Sequence, residues 1–382
     1  MKELFVLAPV TGPTGYEEIA RGLIQELYLA GVNISLEKFT GWSRYRVHLD
    51  DKSEEILKIC NENVSILNKA SPILSICLPE QMIIQYPNMN ILYTMFEASD
   101  IPPYWVNVIK QIDKIFVPCK HSQNIFSQYL NCKDVVQILP CGFDPYLYHQ
   151  ETRPFFDCFS TSCDLGKFKH RILVVGENTE RKNITACVEV FFKAFSIDDE
   201  VCMVIKATNY SRKSSCSNQD IFNMRKEIEN TYNKKCPPIF IYNQIVTDSV
   251  MASFMAIGTI YLSMSRGEGY DLSALKMIAL KKPVVVPKHT SYPDYVTDNE
   301  GIMISCKEVP CKVSGTLKRV YSGLNWYEPD IEMAVWWLKK VILDYDQFYK
   351  EKTMNIYSFE NIADYVIKND LFWNMEERNE KV

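Results

Sequence analysis

One local pattern repeats along almost the whole chain: a short β-branched or otherwise apolar run, a turn, then a segment with helical spacing. Runs of this kind fall at Leu4–Ala8, Asn33–Leu36, Ile73–Cys77, Ile91–Thr94, Ile115–Pro118 and Val135–Leu139. They return at Arg171–Val175, Val201–Ala207, Ile239–Tyr242, Ile260–Met264, Val284–Val286 and Gly301–Ser305. Apolar runs of this length, alternating with amphipathic segments, predict parallel strands joined by crossover helices, an α/β fold. Between the two series, residues 149–169 mix Pro, Ser, Thr and Asp without periodicity. The spacing therefore predicts a first domain at 1–148, a linker at 149–169, a second domain at 170–355 and a terminal helical segment at 356–382. A chain of 382 residues with 47% hydrophobic content also suits two cores better than one.

Charge narrows the class of partner. The net charge is −5, and Lys and Arg are dispersed, which argues against a dominant nucleic-acid or anionic-lipid surface. The thirteen cysteines form no CxxC pair and no cluster with His at zinc spacing, so reduced thiols and no metal site are expected. Met1 to Pro9 has no signal-peptide core, and no apolar run approaches the roughly 20 residues of a spanning helix. These features suit a cytoplasmic protein and leave peripheral membrane contact through a helix face open.

The candidate chemistry lies in turns after predicted strands, where open α/β sheets place ligands. Tyr261 to Pro287 reads strand, Ser-Arg-Gly-Glu-Gly turn, helix, strand. Asp271 is its expected N-cap, and the N–H groups of Gly269, Tyr270, Asp271 and Leu272 would then point out of the helix start, where an anion such as phosphate is favoured. Glu268 sits beside that start. Arg181 and Lys182 open the helical pattern Ile184 to Phe195; two cations there oppose the helix dipole, and an anion between them would explain the placement. Gly12 and Gly15 follow the first strand and either let a ligand approach the backbone or serve a turn. Glu97 follows another strand, ahead of Pro102-Pro103, as a cleft carboxylate or a solvated one. Lys276 lies on a polar stripe with Ser273, facing solvent or the anion site. His121, His149, His170 and His289 show no triad or metal grouping and read as ordinary surface or core residues.

Outside these turns, Thr247 is expected to cap the helix Asp248–Met255 and Ser358 to cap a helix presenting Phe359, Ile362, Ala363 and Val366. Cys306 to Tyr327 reads as a long loop. It precedes a helix, Ile331–Leu343, whose Trp336 and Trp337 are expected in the core.

Several ordered blocks resemble one family. They are GPTGY (Gly12–Tyr16), YTMFEASDIPPYWV (Tyr93–Val106), VPCKHSQNIF (Val117–Phe126), PCGFD (Pro140–Asp144), VGENTERKN (Val175–Asn183), SRGEGYDLSALKMIALKKPVV (Ser265–Val285) and NWYEPD (Asn325–Asp330). Together they resemble the retaining glycosyltransferases of the large sucrose-synthase and mannosyltransferase-like group, family 4-like. The resemblance implies the GT-B architecture: two Rossmann-like domains whose parallel sheets face a central cleft, with a C-terminal helix crossing back to the first domain. It implies a nucleotide-diphosphate sugar as donor, a glycan or other hydroxyl acceptor, no metal and no separate cofactor. Arg181 and Lys182 match its diphosphate-binding pair, and Glu268 matches the first Glu of its donor motif, which contacts the transferred sugar. Glu97 is the nearest polar candidate where relatives carry a first-domain His. The sequence departs from the family at Asp271 in place of Gly, Ser273 in place of Pro, and Lys276 in place of the second Glu, which binds the donor ribose. An ammonium cannot accept a hydrogen bond as that Glu does. The departure motivates an alternative function, a catalytically impaired scaffold acting as a nucleotide-sugar-binding or interaction protein.

Overall fold

A computed structural model describes residues 2–39, 42–43, 45–63, 71–156, 164–208, 216–297, 301–313, 315–348 and 357–374. The chain divides into two compact units. One comprises Met1–Phe96, Asp100–Asp144 and Asn355–Val382; the other comprises Glu97–Ser99 and Pro145–Met354.

The first unit is built on six parallel strands, β1 (Glu3–Ala8), β2 (Asn33–Lys38), β3 (Ile73–Ile76), β4 (Asn90–Tyr93), β5 (Lys114–Val117) and β6 (Val136–Ile138), in the order β2-β1-β3-β4-β5-β6. The central strands are buried on both faces, as βαβ crossovers require: every residue of β3 and β4 is buried. After β1, Thr14 caps the helix Gly15–Leu29, and Glu17 reaches back to complete a capping box. That helix buries Ile19, Ala20, Leu23, Ile24 and Leu27 against the sheet. Late in the chain, the Ser358-capped helix Phe359–Lys368 packs on it. The Phe359 ring fills the space that side chains at Gly22 and Gly142 would otherwise occupy.

The second unit holds six more parallel strands, β7 (His170–Glu177), β8 (Val201–Thr208), β9 (Ile239–Tyr242), β10 (Ile260–Leu262), β11 (Val284–Pro287) and β12 (Gly301–Ile304). Their order is β12-β11-β10-β7-β8-β9. β7 and β8 pair in parallel from His170↔Val201 to Glu177↔Thr208. Ile172, Val174, Met203 and Ile205 form one face of this sheet and meet Val188, Phe191, Phe192, Leu338 and Val341 from the covering helices. The strand order reverses between β7 and β10, so the turns after these two strands emerge side by side at the carboxyl edge.

Two expectations are corrected here. Part of the supposed loop 306–327 is an antiparallel hairpin, β13 (Cys306–Pro310) paired with β14 (Asn325–Pro329). The helix Ile331–Leu343 does form, but its buried stripe is Ala334, Leu338 and Val341. Trp336 stands on the opposite side of that stripe and is 56% exposed; Trp337 packs at the edge of the core.

Candidate functional site

Charged side chains converge at the carboxyl edge of the second sheet. β7 ends at Glu177, and the turn after it carries Arg181 and Lys182 before Asn183, at φ 52°, swings the chain into the helix Ile184–Ala194. The turn after β10 supplies Glu268. Glu97, which clusters with this unit, adds a second carboxylate.

Glu268 is 3% exposed and shares its two oxygens between the cations. Lys182 Nζ lies 2.7 Å from Oε1, and Arg181 Nη1 lies 3.2 Å from Oε2. Arg181 Nε donates to Glu97 Oε1 at 2.9 Å, and Nη1 also donates to the Gly267 carbonyl at 2.6 Å. The Tyr321 hydroxyl donates to the same Glu97 oxygen. Glu268 thus places a carboxylate of the protein itself between the paired cations.

Burial by itself pushes the Glu268 carboxyl up, but Lys182 and then Arg181 outweigh it and hold the group at about 2. Burial likewise works against the Arg181 charge, yet Glu97 and Glu268 together raise its pKa above the ordinary value. The Glu177 carboxyl moves the other way: burial raises it, with Arg181 and Lys182 opposing.

The backbone makes this convergence possible. A side chain at Gly267 would overlap the Glu97 carbonyl oxygen, so the two segments meet only where one has no Cβ. The β13–β14 hairpin holds both. Tyr327 donates its N–H to the Arg266 carbonyl at 2.8 Å, Ser99 donates to the Asn325 carbonyl at 2.8 Å, and Arg266 grips Glu328 through Nε and Nη2. The hairpin's short helix Lys318–Tyr321 delivers Tyr321.

The other expected residues fall as follows. Asp271 caps the helix Leu272–Ala279, its Oδ1 accepting from the N–H groups of Ser273 (3.0 Å) and Ala274 (3.3 Å). Its Oδ2 accepts the hydroxyls of Tyr261 (2.9 Å) and Tyr292 (2.8 Å). Burial raises the Asp271 carboxyl, with Lys182 opposing. Gly269 precedes the cap, Tyr270 stacks on Tyr295 at 4.7 Å, and Leu272 opens the helix, buried. Lys276 is not solvent-facing: it is 5% exposed, with Nζ 4.8 Å from the centre of the Tyr148 ring. Gly12 and Gly15 belong to the first unit and its capping turn. The Gly12 carbonyl accepts from Arg21 Nη1 at 2.7 Å, and a Cβ at Gly12 would meet the Glu17 carboxylate.

Among the described residues, no group of three or more His, Cys, Asp or Glu is arranged to hold a metal ion, and no helix is long and apolar enough to cross a membrane.

No family model matches the chain, and no curated protein matches it by sequence. Solved structures do match its shape. The chain is similar to the HepE protein of Anabaena, solved in complex with UDP and glucose, at 9% identity over 97% of this chain and 100% of that one, with a TM-score of 0.67. It is similar to the sucrose-phosphate synthase of Thermosynechococcus elongatus at 12% identity, over 97% and 99% of the two chains, with a TM-score of 0.63. An apo structure of OtsA matches at 10% identity over 99% and 100%, with a TM-score of 0.65. The chain has the GT-B fold.

Within this GT-B fold, three residues of the cluster escaped the sequence reading. Tyr321 sits in a four-residue helix between the hairpin strands, where no periodicity marks it. His289, read from sequence as an ordinary residue, and Thr290, which the sequence did not mark, lie directly behind Glu268: the Glu268 N–H donates to Thr290 Oγ1 at 3.1 Å. The nearest available signal was their position just after β11, at the same sheet edge as the turns of β7 and β10.

Proposed function

We propose that this protein is a retaining, metal-independent glycosyltransferase that moves a sugar from a nucleotide-diphosphate sugar to a hydroxyl acceptor. The observation that carries the reading is the buried Glu268 carboxylate shared between Arg181 and Lys182, in a fold whose solved examples include HepE with UDP and glucose. In this reading Arg181 and Lys182 hold the donor diphosphate. Charge grows on the leaving diphosphate at the transition state, and cations already fixed there lower the barrier without reorganising. Their positions are set in advance by Glu268 and Glu97, so the diphosphate replaces carboxylate contacts rather than gathering mobile side chains. Glu268, once relieved of one cation, accepts hydrogen bonds from sugar hydroxyls. Glu97, held by Tyr321, orients Arg181. Gly269, Tyr270 and Leu272 lie along the phosphate approach to the helix start, with Asp271 as its cap.

The test is incubation with a panel of nucleotide sugars and hydroxyl acceptors, followed by mass spectrometry and proton NMR of the products. Transfer with retained anomeric configuration and full activity in a metal chelator is the expected result; no binding or turnover with any donor overturns the reading. The Lys276 contact with Tyr148 favours a second reading, a scaffold that binds nucleotide without transfer, because no carboxylate stands at that position to take the ribose. UDP binding by calorimetry with no product from any donor would select it.

A further inference from the structure

Glu268 reaches its cations from a backbone that is held from behind by a short chain of hydrogen bonds. The Glu268 N–H meets Thr290 Oγ1 at 3.1 Å, Thr290 Oγ1 lies 2.9 Å from His289 Nδ1, and His289 Nε2 lies 2.7 Å from the Ser265 carbonyl oxygen. Both ends have fixed polarity, since an N–H only donates and a carbonyl only accepts. For a neutral ring this leaves one assignment. His289 carries its hydrogen on Nε2, Nδ1 accepts from the Thr290 hydroxyl, and that hydroxyl accepts from Glu268.

The chain begins and ends on the same turn, at Ser265 and Glu268, so the imidazole and hydroxyl staple the turn shut. The two residues that do so are buried, His289 at 5% and Thr290 at 8% exposure. The ring is wedged between Tyr327, stacked at 5.3 Å, and the edge of Tyr292 at 5.6 Å. Thr290 itself has φ 43°, a left-handed conformation that is strained for a β-branched residue and relaxed for glycine. A strained Thr where a glycine would rest implies that the hydroxyl is needed.

We infer that His289 and Thr290 are positioning residues for Glu268, fixing the turn so that its carboxylate meets Lys182 and Arg181 and, on the donor reading above, the transferred sugar. Neither residue touches the reacting atoms. Their effect passes through the Glu268 backbone.

Three variants separate positioning from plain stability. Thr290→Gly removes the hydroxyl and relieves the strain, Thr290→Ser keeps the hydroxyl, and His289→Phe keeps the stacking but removes both ring nitrogens. With UDP-glucose as the probe donor, kcat for sugar release is expected to fall about 10- to 100-fold in Thr290→Gly and His289→Phe, with KM little changed. Thr290→Ser is expected to restore most of the rate, and the thermal midpoint of Thr290→Gly to stay close to wild type. Wild-type kcat in Thr290→Gly, or equal losses in the Gly and Ser variants, would overturn the inference. Two measurements on the unliganded protein do not depend on activity. Exchange of the Glu268 amide hydrogen should accelerate in Thr290→Gly, and nitrogen NMR of labelled histidine should place the His289 proton on Nε2. Unchanged exchange, or a proton on Nδ1, defeats the inference whatever the donor; absence of cleavage by the wild type of every donor in the nucleotide-sugar panel, with both NMR results as expected, defeats the donor reading instead.

Discussion

Glu268→Gln is the sharpest single perturbation, because it keeps the side chain's shape and removes only its charge. Lys182 then loses the one carboxylate it pairs with among the described residues, while Arg181 keeps Glu97. Two independent lines give the size of the effect. A carboxyl held at about 2 rather than at its usual value corresponds to about 3 kcal/mol of folded-state stabilisation. Removing one partner of a buried pair costs about 3–5 kcal/mol, and the lower end applies here because the Lys182 and Arg181 side chains remain 18% and 23% exposed. Since the folded value is depressed, this stability is fully present above the ordinary carboxylate pKa and is lost as pH falls through the folded value. Urea unfolding of wild type and Glu268→Gln should therefore differ by about 3 kcal/mol at pH 7 and pH 5 and converge between about pH 4 and pH 2. A difference under about 0.5 kcal/mol at pH 7, or one that persists undiminished in acid, would show that the carboxylate is not clamped by the two cations.

Gly267→Ala should push the turn away from the Glu97 carbonyl, destabilise by about 1–3 kcal/mol and lower donor cleavage, read from the thermal midpoint and from sugar release. Phe359→Ala should cost about 3 kcal/mol by emptying the space over Gly22 and Gly142, and limited proteolysis should then cut first in Phe359–Lys368. Lys206→Met tests a buried ammonium on β8 that burial alone brings down to about 8. The unfolded chain binds more protons there between about pH 8 and pH 10, so wild-type stability should rise with pH across that window. The variant should lack the slope and be the more stable of the two at pH 7, by about 2–3 kcal/mol.

The parts of this molecule that were legible in its sequence are those whose signals are local. β3, β4, β10 and β11 are apolar runs of strand length, and Asp271, Thr247 and Ser358 cap helices where a side chain reaches only three residues on. Arg181 and Lys182 stood out as two cations opposing a helix dipole, and Glu268 as a carboxylate beside a helix start, both within blocks that resemble a known family. What sequence did not carry was long-range. The pairing of Glu268 with the cations depends on contacts 86 residues apart, Lys182 against Glu268. β13, with the exposed sequence Cys-Lys-Glu-Val-Pro, has neither alternation nor an apolar run, and its pairing with β14 is set by residues on the far side of an intervening turn. Trp336 misled for a different reason: it is large and apolar but lies off the Ala334–Leu338–Val341 stripe, and periodicity outweighs hydrophobicity in deciding what a helix buries.

The first unit is not one stretch of chain. Its strands are contributed before residue 145, while the helix that packs on Gly15–Leu29 comes from beyond residue 354, with Lys2 paired to Asp370 and Trp373 Nε1 bonded to the Glu3 carbonyl at 2.7 Å. Chain synthesis runs from the amino end, so the first sheet emerges early yet waits, with the surface around Gly22 and Gly142 uncovered, until Phe359–Lys368 is made. The ribosome thus delivers the first unit's last helix only after all of Pro145–Met354, and the second unit, nearly contiguous, has every strand it needs to fold ahead of the unit that precedes it.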